Sequence, residues 1–365
     1  MSIDTRITFL VGAGLVADAR VPMSIELAQR LKDGLRETAH RPSTGTRMDA
    51  ESALARHLLA VFNFLNGGIR FQEGVLDRDP DRPVNIEQVA AAAFELQARL
   101  ANPVAPYTSG WHQRILELES QCEGLLEKFI DFIYSQLAKW LTISDTDELS
   151  YLVRMADLAQ NDVGVDIFSL NYDLCIETAL LSARRQFVNG FTDDHGWQPS
   201  VFEGDHPIRL FKLHGSLDWI DDMYFGICSL EHPGHVEKNS IQHDNTKPLL
   251  IFGTNNKLSP REPFLTLAYH FSQRVLSTQI LVIIGYSFGD DYINRIVEQG
   301  FRKNQKLRII VVSPSAAMKT KEHAYLDGTP RVTHIDKKAK DALNGNLVFK
   351  RVYKLLDEMS KEEAF

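Results

Sequence analysis

Apolar positions along the chain fall into two kinds of pattern. Four short runs are continuously aliphatic: Ile7 to Val11, Val165 to Leu170 (VDIFSL), Gln279 to Gly285 (QILVIIG) and Leu307 to Ser313 (LRIIVVS). Runs of that length, each ended by a turn or polar residues, predict strands buried on both faces, as in a parallel sheet. Ile208 to Leu213 and Leu249 to Phe252 read as shorter strands. Helix-like stretches stand between several of these runs, the first starting near Ser24. The alternation predicts an α/β protein with a doubly wound parallel sheet.

The second pattern fills residues 46 to 161. Leu54, Leu58, Val61, Phe62 and Leu65 fall at helical spacing, as do Leu125, Phe129, Phe132, Ile133, Leu137 and Trp140. No strand is evident there, so this block reads as a large helical insertion between two halves of the sheet. Its aromatic stripes are read first as core. Residues 107 to 140, with Tyr107, Trp111, Ile115, Leu118, Phe129, Phe132, Ile133, Leu137 and Trp140, are also expected to form part of a self-association surface. Residues 74 to 85 (GVLDRDPDRPVN) read as an exposed loop. The stretch 231 to 247 is polar and His-rich, but His232, His235 and His243 lack a Cys or acidic partner at ligand spacing, so it too reads as a solvated loop.

Composition narrows the function classes. The 365 residues are 44% hydrophobic and 24% charged, a globular balance. A net charge of −8 and a pI near 5.9 leave no global basic field, so no strong intrinsic nucleic-acid binding is expected. Three scattered cysteines, Cys122, Cys175 and Cys228, cannot make a four-thiolate zinc site within one chain and fit a reducing, cytoplasmic setting. No signal peptide or membrane-length apolar run is read.

The candidate chemistry sits at the predicted strand ends. The first run ends on Gly12-Ala13-Gly14, where glycines let a backbone approach a dinucleotide phosphate or simply let a tight turn pack. The dinucleotide fingerprint would place a third glycine at Ala17 or Asp18, and neither is one. The second run leads into Asn171 and Asp173 of NYD, positions suited to a ligand or to capping the helix expected from Leu174. His214 with Gly215 and Ser216 follows the run RLFKL, within KLHGSLDW. Gly285 and Ser287 open GYSFGDDYIN, where Asp290 or Asp291 could cap a helix, and Ser313 ends the run VVSP. Five such ends converging on one sheet edge favour a binding crevice.

The ordered set GAG, NYD, HGS, GYS and VVSP resembles the sirtuin fold, from residue 7 to about 315. The variants NYD, HGSLDW and GYSFGDDYIN resemble bacterial sirtuin-like NADase effectors of anti-phage defence, some of which work beside a HerA-type helicase. The resemblance implies a Rossmann-like, sirtuin-like domain over residues 1–45 and 162–320, a helical insertion over 46–161, and a C-terminal strand and helix extension over 321–365. It implies NAD as substrate and an NAD+ glycohydrolase activity that releases nicotinamide and ADP-ribose. Gly12, Ala13 and Gly14 would hold the pyrophosphate, and Asn171 would position water or the nicotinamide ribose. Asp173 would hold the carboxamide, His214 would act as base, Ser287 and Ser313 would bind the adenosine half, and Gly285 would also belong to the NAD-binding set. It also implies a cytoplasmic homo-oligomer, a possible HerA-type ATPase or helicase partner, and no membrane. Departures bear on the activity. Of the deacylase segment that follows the first loop only Pro22 survives, Leu170 stands where deacylases have Gln, and the zinc cysteines have no counterpart. A protein deacylase is therefore not expected. The rival readings are a non-catalytic NAD- or ADP-ribose-binding subunit, a nuclease subunit of an ATPase complex, and a Rossmann dehydrogenase.

Overall fold

Eight strands and twelve helices are described in a computed structural model that covers residues 5–42, 45–100, 111–143, 145–160, 163–223, 226–230, 247–253 and 261–363. Two compact units are present. One comprises Met1–Val21, Leu141–Ile251 and Asn255–Phe365, and the other comprises Pro22–Trp140 with Phe252–Thr254. The division near Val21 differs from the boundary after residue 45 that the sequence suggests, because the first long helix belongs with the helices that follow it.

The strand β1 (Thr5–Val11) opens the sheet-bearing unit. The helical unit then supplies α1 (Ser24–Ala39), α2 (Thr46–Val75), α3 (Ile86–Leu100), α4 (Trp111–Gln121) and most of α5 (Leu125–Leu141). In α1 the buried positions Leu27, Leu31 and Leu35 recur at helical spacing, while Glu26 and Arg30 pair at 2.6 Å on the solvent side. Leu58, Val61, Phe62 and Leu65 of α2 are buried, whereas Leu54 is exposed and Ala55 takes the inward position. Ile115, Leu118, Phe129, Ile133 and Leu137 are buried within the single chain and Phe132 and Trp140 are half-buried, so the expected self-association stripe is covered in the monomer. Tyr107 and the Trp111 side chain lie outside the described residues, as do His232, His235 and His243. Of the loop expected over 74–85, Gly74 and Val75 end α2, residues 76–83 are exposed loop, and Val84 and Asn85 are half-buried.

The sheet-bearing unit continues with the short α6 (Val153–Ala156), β2 (Val163–Ser169), α7 (Cys175–Ser182), β3 (Ile208–Lys212) and a hairpin of β4 (Trp219–Asp222) and β5 (Gly226–Ser229). It ends with α8 (Phe264–Ser277), β6 (Ile280–Ile284), α9 (Asp291–Lys303), β7 (Arg308–Val312), α10 (Ala316–Lys321), β8 (Val332–Ile335), α11 (Ala339–Asn344) and α12 (Leu347–Glu363). Six strands pair in the order β3-β2-β1-β6-β7-β8, all parallel. That is the Rossmann order, with the chain winding away from β1 in both directions. Leu10, Phe168, Ile283 and Val311 form one register row, and Phe9, Ile167, Val282 and Ile310 form the row that faces the other way. Both rows are buried, so both sheet faces are covered, which explains why these strands read as continuous apolar runs. Leu267 and Phe271 of α8 and Ile293 and Val297 of α9 join the first row in the core.

Leu249–Phe252 is not a ladder strand. Leu250 makes a single bridge to Gly215, and the segment is tied by Leu249 N–H to the Trp219 carbonyl (2.7 Å) and Ile251 N–H to the His214 carbonyl (2.9 Å). Toward the amino ends of β1, β2 and β3, buried Asp166 accepts from three guanidinium groups: Arg6 at 2.8 Å, Arg209 at 2.7 Å and Arg274 at 2.7 Å.

Candidate functional site

Parallel pairing sends the carboxyl ends of all six sheet strands to one edge, and five of them carry the residues singled out above. Gly12-Ala13-Gly14 follows β1, Asn171 and Asp173 follow β2, and His214 follows β3. Gly285 and Ser287 follow β6, and Ser313 follows β7. The crossovers change direction between β1 and β6, and a doubly wound sheet opens its ligand crevice at such a switch point.

The two glycine motifs pack against each other. Gly12 N–H donates to the Ile284 carbonyl (3.0 Å) and Gly14 N–H to the Gly285 carbonyl (2.9 Å). A Cβ on Gly14 would stand 2.8 Å from Gly285 Cα, and one on Gly285, whose φ is +64°, would stand 2.2 Å from Leu15 N. Neither contact tolerates a side chain. The expectation that Gly12 and Gly14 offer N–H groups to an anion is thereby corrected, since both donors bond within the β1–β6 junction. Ala13 is exposed, and its N–H donates no hydrogen bond among the described residues. Ser287, on the loop after β6, is exposed, whereas Ser313 is buried, with its Oγ accepting from Ser315 N–H at 3.4 Å. Half-buried Lys319 of α10 reaches the Tyr286 carbonyl at 3.5 Å, which brings a cation to the same loop.

The β2 and β3 ends are bonded into the same edge. Asn171 is buried and donates from Nδ2 to the Gly12 carbonyl at 3.3 Å, joining the loops after β1 and β2. Asp173 accepts Cys175 N–H on Oδ1 at 3.0 Å, so the capping role open from the sequence is realised one residue before α7's own cap, Leu174. His214 is buried, with Nδ1 3.2 Å from the Leu170 carbonyl and Nε2 3.0 Å from Asp290 Oδ2. A carbonyl only accepts, so Nδ1 carries a proton. Nε2 then faces the carboxylate oxygen Asp290 Oδ2 at 3.0 Å, where a proton taken up by the ring would be held.

Below this layer is a buried charge cluster. Lys212, the last residue of β3, donates to the Asp173 carbonyl and lies 3.2 Å from Glu177 Oε1 of α7. Asp218, also buried, accepts from Ser229 Oγ at 2.7 Å. Burial alone would lower the Lys212 ammonium, but Glu177, Asp173 and Asp218 hold it above its ordinary 10.5. Burial pushes the Glu177 carboxyl up from 4.5 to about 7, against the pull of Lys212 and with help from Asp218 and Asp173. The directions agree physically: one ammonium amid three carboxylates keeps its proton, while the fully buried carboxyl takes one up near neutrality. Burial and the neighbouring Asp173 push the Cys175 thiol well up, which removes it as a nucleophile at this edge.

Lys212, Glu177 and Asp218 were not singled out from the sequence. The available signals were a lysine inside the apolar run RLFKL and a glutamate four residues after Asp173 on a short helix. Asp290 was read as a helix cap, and it does cap α9, but its second oxygen is the contact to His214. Among the described residues, no group of three or more His, Cys, Asp or Glu is arranged to hold a metal ion.

Residues 165–335 match the model of a SIR2-like domain family. The match takes in Asn171, Asp173, His214, Gly285, Ser287 and Ser313 and excludes the loop after β1. No curated protein matches the chain. Among solved structures, a Sir2 homologue in complex with NAD is 13% identical, with 96% of this chain and 91% of that chain covered, at a TM-score of 0.41. A structure on the mechanism and regulation of Sir2 enzymes is 10% identical, covering 100% and 95%, at 0.41. A Sir2 homologue mutant bound to 2'-O-acetyl ADP ribose is 13% identical, covering 96% and 94%, at 0.41.

Proposed function

We propose that the chain is an NAD+ glycohydrolase that releases nicotinamide and ADP-ribose. The observation that carries this reading is the meeting of Asn171, Asp173 and His214 at the carboxyl ends of adjacent parallel strands, beside the β1–β6 switch point. The SIR2-like match over residues 165–335 supports it.

Nicotinamide is a cationic leaving group. It departs with the electron pair of its N-glycosidic bond, and an oxocarbenium-like ribose remains. Water forms the new C–O bond at that carbon and gives up one proton. The protein has to hold the dinucleotide, admit water to one face of the ribose and accept the proton. In this reading the Gly12-Ala13-Gly14 loop takes the pyrophosphate with Ala13 N–H as its free donor, and Lys319 adds charge. Ser287 and Ser313 bind the adenosine half, and Gly285 also belongs to the NAD-binding set. Asn171 positions the water or the ribose, Asp173 the carboxamide, and His214 acts as base, directly or through a ribose hydroxyl, taking up the proton that the water gives up.

The wider reading is depletion of NAD in bacterial anti-phage defence. It includes a cytoplasmic homo-oligomer and a HerA-type ATPase or helicase partner that restrains or triggers turnover. It rests on the resemblance of NYD, HGSLDW and GYSFGDDYIN to such effectors. Among the described residues, no helix is long and apolar enough to cross a membrane. A second reading, a non-catalytic NAD- or ADP-ribose-binding subunit, is favoured by one observation: Asn171 and His214 are buried and both ring nitrogens of His214 are engaged. The purified chain, alone and with a candidate ATPase partner, is incubated with NAD while nicotinamide is followed by chromatography. Release that scales with protein supports hydrolysis; bound but intact NAD in both settings overturns it.

A further inference from the structure

We infer that Asp290 is the positioning residue for His214, a carboxylate on the β6–α9 loop that fixes the ring and holds the proton the ring takes up. The inference rests on the proposed role of His214 in NAD cleavage.

Asp290 has two oxygens with separate tasks. Oδ1 caps α9, accepting from Tyr292 N–H at 2.9 Å and Ile293 N–H at 3.1 Å. Oδ2 lies 3.0 Å from His214 Nε2. The cap therefore sets the carboxylate plane, and the plane sets where Oδ2 points. The loop that carries Asp290 is itself braced. Asp290 N–H donates to Tyr286 Oη at 3.2 Å, Tyr286 Oη pairs with Asn294 Oδ1 at 2.9 Å, and Asn294 Nδ2 donates to the Phe288 carbonyl at 2.7 Å. On the far side of the ring, Nδ1 is fixed by the Leu170 carbonyl, one residue before Asn171. The imidazole is thus clamped between the end of β2 and the start of α9. A base oriented by a third group is the arrangement that proton-transfer sites use. Capping alone does not require a histidine partner, and a histidine buried for packing does not require a carboxylate at 3.0 Å, so the pairing asks for a reason beyond either.

The two tasks can be separated by substitution. Asn and Ser cap helices about as well as Asp. Asp290→Asn keeps the cap and the reach to Nε2 but removes the charge. Asp290→Ser keeps the cap and is too short to reach the ring. Thermal unfolding of both variants should stay close to wild type. In each, kcat for nicotinamide release should fall by about 10²-fold or more, with KM changed by less than about threefold, since the ring acts on the reacting water rather than on binding. NMR of ring-labelled histidine in the full chain supplies a readout independent of turnover. At one and the same pH the His214 Nε2 signal should lie further toward the protonated range in wild type than in Asp290→Ser, because only the wild type presents a carboxylate to that nitrogen. Unchanged His214 resonances and unchanged kcat in both variants overturn the inference while leaving NAD hydrolysis intact. If wild type releases no nicotinamide, the proposed activity fails and the resonances alone decide: a moved Nε2 signal supports the pairing, and an unmoved one overturns it.

Discussion

Glu177→Gln tests whether the cluster beneath the strand ends carries the charges assigned to it. Glu177 is buried, with Oε1 3.2 Å from Lys212 Nζ and Oε2 without a hydrogen-bond partner among the described residues. Its carboxyl rises from 4.5 to about 7 because burial, aided by Asp218 and Asp173, outweighs Lys212. Since the folded value lies above the unfolded one, the native state holds a proton that the unfolded chain has released between those two pH values. Stability from this group is full below about pH 4.5, falls as pH rises toward 7, and is flat beyond. The gap, at about 1.36 kcal/mol per pH unit, is worth about 3 kcal/mol at most. Glutamine is nearly isosteric and cannot ionise, so it removes this slope. Urea unfolding of wild type and variant at pH 5, 6, 7 and 8 should show the wild type losing about 2–3 kcal/mol relative to the variant across the series. Parallel curves, or a variant that loses ground as pH rises, would refute the reasoning and mean that Lys212 keeps Glu177 ionised throughout.

Two further outcomes follow from buried contacts. Asp166 serves three guanidinium groups, so Asp166→Asn should cost about 3–5 kcal/mol in chemical denaturation by leaving them without a counter-charge. Burial would raise the Asp166 carboxyl, but Arg209, Arg274 and Arg6 hold it below 3.8; the wild type should therefore lose this contribution only as pH falls below that value, and the variant should lack that acid limb. Gly285→Ala places a Cβ 2.2 Å from Leu15 N at a φ of +64° and should cost about 2–4 kcal/mol in thermal unfolding, whereas Gly34→Ala, where a Cβ meets nothing within 4 Å, should be neutral or slightly stabilising.

The six-stranded sheet was largely legible because burial on both faces leaves continuous aliphatic runs: β3, β6 and β7 fall within predicted ones, and β1 and β2 overlap theirs but start two residues earlier. The strand β8 lies in the expected C-terminal strand and helix extension but has no run of its own to locate it, since Val332–Ile335 is short, lies at the sheet edge and contains Thr333 and His334. The β4–β5 hairpin was missed for a similar reason: Asp221 and Asp222 interrupt its apolar signal. Leu249–Phe252 misled because an apolar segment packed on Gly215 looks like a strand in composition while its backbone bonds scatter to Trp219 and His214. In the site, residue types at strand ends were readable, but pairings across 76 positions, such as His214 with Asp290, depend on strand order. Gly12, Gly14 and Gly285 were legible as special positions, but whether they face a ligand or each other was not, because either use excludes a Cβ equally.

The central claim is tested most directly by measuring NAD binding and nicotinamide release side by side for wild type, Asn171→Ala and His214→Ala, with calorimetry for the first quantity and chromatography for the second. The account predicts turnover in wild type, loss of at least about 10²-fold in each variant, and NAD affinity retained within about tenfold. Undiminished turnover in both variants would contradict it.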